Sequence, residues 1–187
     1  MPVAAPKPSE RFAEYIALCR TFHETHKTFS GRGCLKHAGK ILELADQVGA
    51  RSALDFGCGK AVQFSDTVPG HPDGTTLESI LGFEVTKYDP AVPRFSEEPT
   101  GKFDLVWATD VLEHVPEEDI DYVVHRLGAL TRKALFVTVG SGPAKKTLPN
   151  GENAHVTQKP ADWWEARFAP IRRCRGANAI ALTLVIE

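Results

Sequence analysis

The 187-residue chain predicts an α/β fold: a doubly wound, mostly parallel sheet that ends in a C-terminal antiparallel hairpin. Three observations carry this prediction. Short apolar runs at Ser52–Phe56, Phe83–Asp89, Phe103–Ala108 and Ala134–Val139 alternate with segments of helical periodicity. Those runs are too continuously apolar for one solvated face, as expected of strands covered on both sides. The first run breaks into Asp55-Phe56-Gly57-Cys58-Gly59-Lys60-Ala61. A strand that turns this way into a helix brings backbone amides close to a ligand.

In chain order, residues 1–10 are rich in proline and alanine and lack a signal-peptide core, so they read as a mobile tail. Residues 11–187 form one domain: a helical lid over 11–48 and a core over 49–187. Phe12, Tyr15, Ile16, Cys19 and Phe22 space a helix over Arg11–Phe29, broken by Ser30-Gly31-Arg32-Gly33. Leu35, Ala38, Ile41, Leu42, Ala45 and Val48 mark a second helix, closed by Gly49. After the first strand, Gln63–Leu81 carries Pro69-Gly70-His71-Pro72-Asp73-Gly74 and reads as a surface excursion near the pocket. Glu117–Thr131 is helical, with Pro116 just before its start and Ile120, Val123, Val124 and Leu127 on its apolar side. Pro160–Phe168 reads as a short helix, and Ile171–Arg175 with Ala179–Ile186 as the closing hairpin.

Composition narrows the partners. Hydrophobic residues at 42% and charged residues at 25% are ordinary globular values. A net charge of −2 provides no global basic field for a nucleic-acid backbone. Cys19, Cys34, Cys58 and Cys174 form no CxxC pair, which points to reduced thiols and a cytoplasmic location. No apolar stretch is long enough to span a bilayer, so no membrane partner is expected. Oligomeric state leaves no signal.

The glycine turn, Tyr88-Asp89-Pro90 and the segment Phe103-Asp104-Leu105-Val106-Trp107-Ala108-Thr109-Asp110-Val111-Leu112-Glu113-His114-Val115 together resemble the class I S-adenosylmethionine methyltransferases. The resemblance runs from about Leu35 to Ile186 and implies a Rossmann-like core. It assigns cofactor binding to Asp55, Gly57, Gly59, Asp89 and Asp110, with Asp89 placed to accept both ribose hydroxyls. Two features depart from that plan. Ala61 stands at the third glycine position. Ala91–Lys102 is too short for a full helix, strand and helix, so the edge strand after Asp89 is either absent or shrunk to Phe95–Glu97.

Asp110, Glu113 and His114 form D-x-x-E-H at the carboxyl end of a strand, and on a helical turn these three converge. His155, in the loop after the next strand, would join them. Two carboxylates and two imidazoles suit a divalent cation. The pattern resembles the metal-dependent ubiquinone-pathway and Hen-type O-methyltransferases, with Asp110 in place of a glutamate. That implies Asp110, Glu113, His114 and His155 as ligands to Mg²⁺ or Mn²⁺. In the metal-assisted version the cation lowers the pKa of an acceptor hydroxyl. In the metal-free version His114 or His155 removes its proton as general base, with Glu113 in support. Cationic residues exceed acidic ones by four over 141–175, which suits a small-molecule acceptor carrying an anionic group. The expected acceptor is a hydroxyl on a small molecule, sugar or nucleotide. A long nucleic acid lacks its basic track, while a terminal ribose stays within range. A cofactor-binding regulatory protein without chemistry is the other reading. A nicotinamide enzyme is disfavoured by G-x-G followed by Ala61.

Overall fold

The computed structural model describes residues 6–25, 30–172 and 179–187. Five strands form one sheet: β1 (Ala53–Phe56), β2 (Val85–Tyr88), β3 (Phe103–Thr109), β4 (Thr131–Val139) and β5 (Ala181–Ile186). Their order is β2-β1-β3-β4-β5, and every neighbouring pair is parallel. The helices are α1 (Glu10–Thr25), α2 (Ala38–Gln47), α3 (Leu77–Leu81), α4 (Ile120–Leu130) and α5 (Ala161–Arg172).

Successive strand residues point to opposite faces, and both faces are covered. Leu54, Phe56, Val106, Ala108, Leu135 and Val137 pack with α4 and α5 through Ile120, Val123, Leu127, Trp164 and Phe168. Ala53, Leu105, Trp107, Ala134 and Phe136 pack on the other side with α2 through Ile41, Leu44 and Ala45. The sheet is therefore a central layer between helices, and the continuous burial of Ala53–Phe56 and of residues 134–139 in β4 explains why these stretches are mostly apolar.

Among the described residues the antiparallel hairpin expected at the C-terminus is not seen. Ile171 and Arg172 are the last residues of α5, and β5 joins β4 in parallel, Ala134 beside Ala181 through Val139 beside Ile186. The rest of the first hairpin arm, 173–175, lies outside the described residues. Trp164, Phe168 and Ile171 recur at helical spacing and bury one face of α5. Ile171 thus follows a helical period, and a helical crossover returns the chain as a parallel neighbour. At the other edge β2 is the last strand. Residues 91–102 contain a single 3-10 turn at Pro93–Phe95, so the edge strand is absent among the described residues.

Ser9 and Glu10 belong to the folded body: Glu10 opens α1, and Ser9 is held by Asp119. The excursion over 63–81 packs Phe64, Val68 and Leu77 into the α2 side of the core and contributes no wall to the main cavity. Within it, two capping bonds between Thr76 and Ser79 start α3. Cys19, Cys34 and Cys58 are free thiols. Among the described residues no helix is long and apolar enough to cross a membrane.

Candidate functional site

A cavity of about 580 Å³ lies at the carboxyl ends of β1, β2 and β3 and is roofed by α1. Its volume is in the range of small-ligand sites. β1 has β2 on one side and β3 on the other, so the chain reverses its winding direction there and leaves a crevice.

One side of the cavity is built by the glycine turn and Asp89. Gly57 has φ +83°, and its amide donates to the Tyr88 carbonyl at 2.7 Å. A Cβ there would stand 2.3 Å from Val111 Cγ2, so only glycine fits. Asp89 Oδ2 accepts from the Gly59 amide at 2.9 Å, and Oδ1 accepts from the Ala91 amide at 2.9 Å. Each oxygen keeps a second lone pair. Burial raises the Asp89 pKa, with nearby His23 of α1 opposing the rise.

Asp55 does not line the cavity. It is buried beneath the turn, where Gln63 Nε2 donates to its Oδ2 at 2.8 Å and to the Cys58 carbonyl at 3.1 Å. Asp55 therefore orients the glycine turn through Gln63, and burial pushes its carboxyl up to about 7.

Asp110 lines the cavity with a left-handed backbone, φ 55°. Thr138 clasps it: the Thr138 hydroxyl donates to Asp110 Oδ1 at 2.8 Å and accepts from the Asp110 amide at 3.1 Å. The helical turn comes only afterwards, as a 3-10 turn over Leu112–His114. Asp110 is thus outside the turn that holds Glu113 and His114. Glu113 sits behind the wall, where its Oε1 accepts from the Gly140 amide at 2.9 Å and its Oε2 takes no hydrogen bond. Burial pushes this carboxyl up to about 8, so it is neutral at pH 7.

His114 and His155 meet at the cavity with ring centroids 5.0 Å apart and planes near perpendicular. His114 Nδ1 is 2.7 Å from the Ala154 carbonyl, and His155 Nδ1 is 2.7 Å from the Gly142 carbonyl. A carbonyl only accepts, so each Nδ1 carries the proton and each Nε2 carries a lone pair. Burial lowers the His114 pKa to about 4, which keeps that ring neutral. Gly140 allows the close packing behind the pair: a Cβ there would stand 3.0 Å from both Glu113 Oε1 and His155 Cε1.

Among the described residues no three histidine, cysteine, aspartate or glutamate side chains gather closely enough to hold a metal ion. Asp110 is turned to Thr138 and Glu113 to Gly140, so the D-x-x-E-H spacing does not deliver the four-ligand set. This donor arrangement does not fit Mg²⁺ or Mn²⁺, which require several oxygens around one point.

Of the residues expected from the sequence, Gly57, Gly59, Asp89, Asp110, His114 and His155 share the cavity, while Asp55 and Glu113 support it from behind. His23 belongs to no motif, yet it lines the cavity. Its spacing from Phe12, Ile16 and Cys19 on the roofing face of α1 was the available signal. Gln63 and Thr138 carried no motif and become visible only through their bonds. Comparison with protein-family models, curated proteins and solved structures gives no match to this chain.

Proposed function

We propose that the chain is a Rossmann-like, S-adenosylmethionine-dependent methyltransferase that methylates a hydroxyl of a small molecule, sugar or nucleotide without a metal ion. The observation that carries this reading is the cavity itself. The glycine turn and Asp89 occupy one side, and two imidazoles with Nε2 lone pairs occupy the other. The residues fit the cofactor: Gly57, packed against Val111 without a Cβ, lets the turn line the cavity with backbone, and the second lone pairs of Asp89 suit two ribose hydroxyls. Asp110 adds a carboxylate on the same wall. When bound, the cofactor supplies a methyl group on a positively charged sulfur.

The chain's own contribution is positioning and proton handling. His114, kept neutral down to about pH 4 by burial, packs edge to face on His155 at 5.0 Å and fixes the direction from which His155 meets the acceptor hydroxyl. His155, half-exposed at the mouth, takes the proton at Nε2 and passes it to solvent. Glu113 stays uncharged and holds the Gly140 backbone against which His155 rests. The α1 roof excludes water and holds both partners in one cavity.

Calorimetric titration of S-adenosylhomocysteine into the wild type and Asp89→Ala tests the reading. Saturable binding, weakened about tenfold or more in the variant, is expected. Absence of binding in the wild type, or competition by NAD, overturns it. Mn²⁺ added to the saturated protein should give no stoichiometric heat; binding that His155→Ala abolishes would restore the metal-assisted version. Cofactor binding without turnover of any hydroxyl acceptor would make the chain a regulatory protein.

A further inference from the structure

We infer that the acceptor is an anion-bearing compound with a flat apolar body, whose carboxylate or phosphate is received by Lys145 and Lys146 beside Tyr15. That this ligand is a methyl acceptor rests on the methyltransferase reading; the anion site does not.

Among the described residues, four cationic side chains of arginine or lysine line the cavity: Arg32, Arg126, Lys145 and Lys146. Arg32 is engaged by Asp66, and Arg126 by Glu98 at 2.5 Å. Lys145 and Lys146 meet no carboxylate among the described residues. Among the described residues these two exposed lysines are the arginine or lysine side chains of the lining without a carboxylate partner, and they stand together at one rim, on a different loop from the lining carboxylates Asp89 and Asp110.

The loop that presents them is tightly built. Asn153 clasps it from both sides: its Oδ1 accepts from the Ala144 amide at 2.9 Å, and its Nδ2 donates to the Ala144 carbonyl at 2.9 Å. The Ala154 amide donates to the Lys146 carbonyl at 2.9 Å, and the Leu148 amide to the Glu152 carbonyl at 2.7 Å. Asn153 Oδ1 also accepts from the His155 amide. Both lysines and His155 therefore stand on one hydrogen-bonded platform, at a fixed offset from the imidazole pair.

Tyr15 packs onto this platform against Leu148 and Ala154 and lines the same cavity. The residue is only 4% exposed, and its hydroxyl has no hydrogen-bond partner. A buried tyrosine hydroxyl ordinarily finds one, and leaving it unpaired is costly. A polar ligand group at this wall would supply the missing bond. Phe12, Ile16 and Tyr122 give the remaining wall its apolar, aromatic character, with Phe12 and Tyr122 edge to face at 5.7 Å. An anionic acceptor would also complement the positive sulfur of the cofactor within one low-dielectric space.

Three probes with one ring decide the matter: para-hydroxybenzoate, para-hydroxyphenyl phosphate and neutral para-cresol. Each is titrated calorimetrically into the full chain, with and without S-adenosylhomocysteine. At least one anionic probe should bind about tenfold or more tightly than para-cresol, and the better of the two identifies the anion as carboxylate or phosphate. Lys145→Ala/Lys146→Ala should erase that preference while para-cresol and S-adenosylhomocysteine bind as before. Tyr15→Phe should weaken both anionic probes and spare para-cresol and S-adenosylhomocysteine. The inference is overturned if para-cresol binds as tightly as both anions, if the preference survives in the double variant, or if neither anion binds at millimolar concentration. Failure of S-adenosylhomocysteine alone overturns the cofactor reading and leaves the anion preference standing.

Discussion

Asp110 has a backbone conformation that costs a non-glycine residue about 1–3 kcal/mol unless its surroundings impose it. Thr138 imposes it with two bonds through a single hydroxyl. Thr138→Val keeps the shape and removes both bonds, so the Asp110 carboxylate loses its fixed direction. The expected result is about tenfold weaker S-adenosylhomocysteine binding, with Thr138→Ser restoring wild-type affinity. A serine variant as weak as valine would show that the hydroxyl is not what matters. Gly57 gives a steric test on the same wall. Gly57→Ala places a methyl 2.3 Å from Val111 Cγ2 at φ +83°, so cofactor affinity and thermal stability should fall together. Adding Val111→Ala should recover part of the stability, because it removes the clash and leaves only the backbone strain.

At the scale of elements, α1 depends on a few ties for its position over the cavity. Ser9 caps its start by accepting from the Phe12 amide. The Ser9 amide and hydroxyl in turn donate to the two oxygens of buried Asp119 at 2.7 Å each. Asp119→Ala cuts this staple without touching the sheet. Amide hydrogen exchange should speed up across 10–25 while β3 and β4 keep their protection; equal acceleration everywhere would place Asp119 in the core instead. The helices and strands themselves were largely legible, because burial on both faces writes continuous apolar runs and burial on one writes a helical period. The C-terminal hairpin was misread at Ile171, since an apolar residue between Pro170 and Arg172 fits a strand start as well as a helix face. D-x-x-E-H was read as one helical face because spacing carries no φ. The left-handed turn at Asp110 is decided by Thr138, which is distant in sequence. The unpaired state of Tyr15 and the two lysines was likewise beyond the sequence, being a statement about partners that failed to arrive.

For the whole molecule, buried groups tie stability to pH in opposing senses, Asp55, Glu113 and His114 among them. Asp55 is raised to about 7 from 3.8, Glu113 to about 8 from 4.5, and His114 is lowered to about 4 from 6.5. Each carboxyl holds a proton in the folded chain that the unfolded chain has already released, so its stabilisation is lost as pH rises through the folded pKa. His114 runs the other way: below about 6.5 the unfolded ring binds a proton that the folded one refuses, so stability is lost as pH falls toward 4. The histidine partly offsets the carboxyls below about pH 6.5 and falls silent above it. Between about 7 and 8 the Asp55 contribution fades as its titration completes, and Glu113 supplies the larger share of the slope of these three. Urea midpoints should therefore decline across pH 6.5–8, with Glu113 contributing about 2 kcal/mol of the loss. Glu113→Gln keeps a neutral acceptor for the Gly140 amide and has no proton to release. It should flatten the limb between pH 7 and 8 and leave S-adenosylhomocysteine affinity unchanged at pH 7. A slope that persists undiminished in the glutamine variant would mean Glu113 is already ionised in the folded protein, and the neutral backing assigned to His155 would be lost with it.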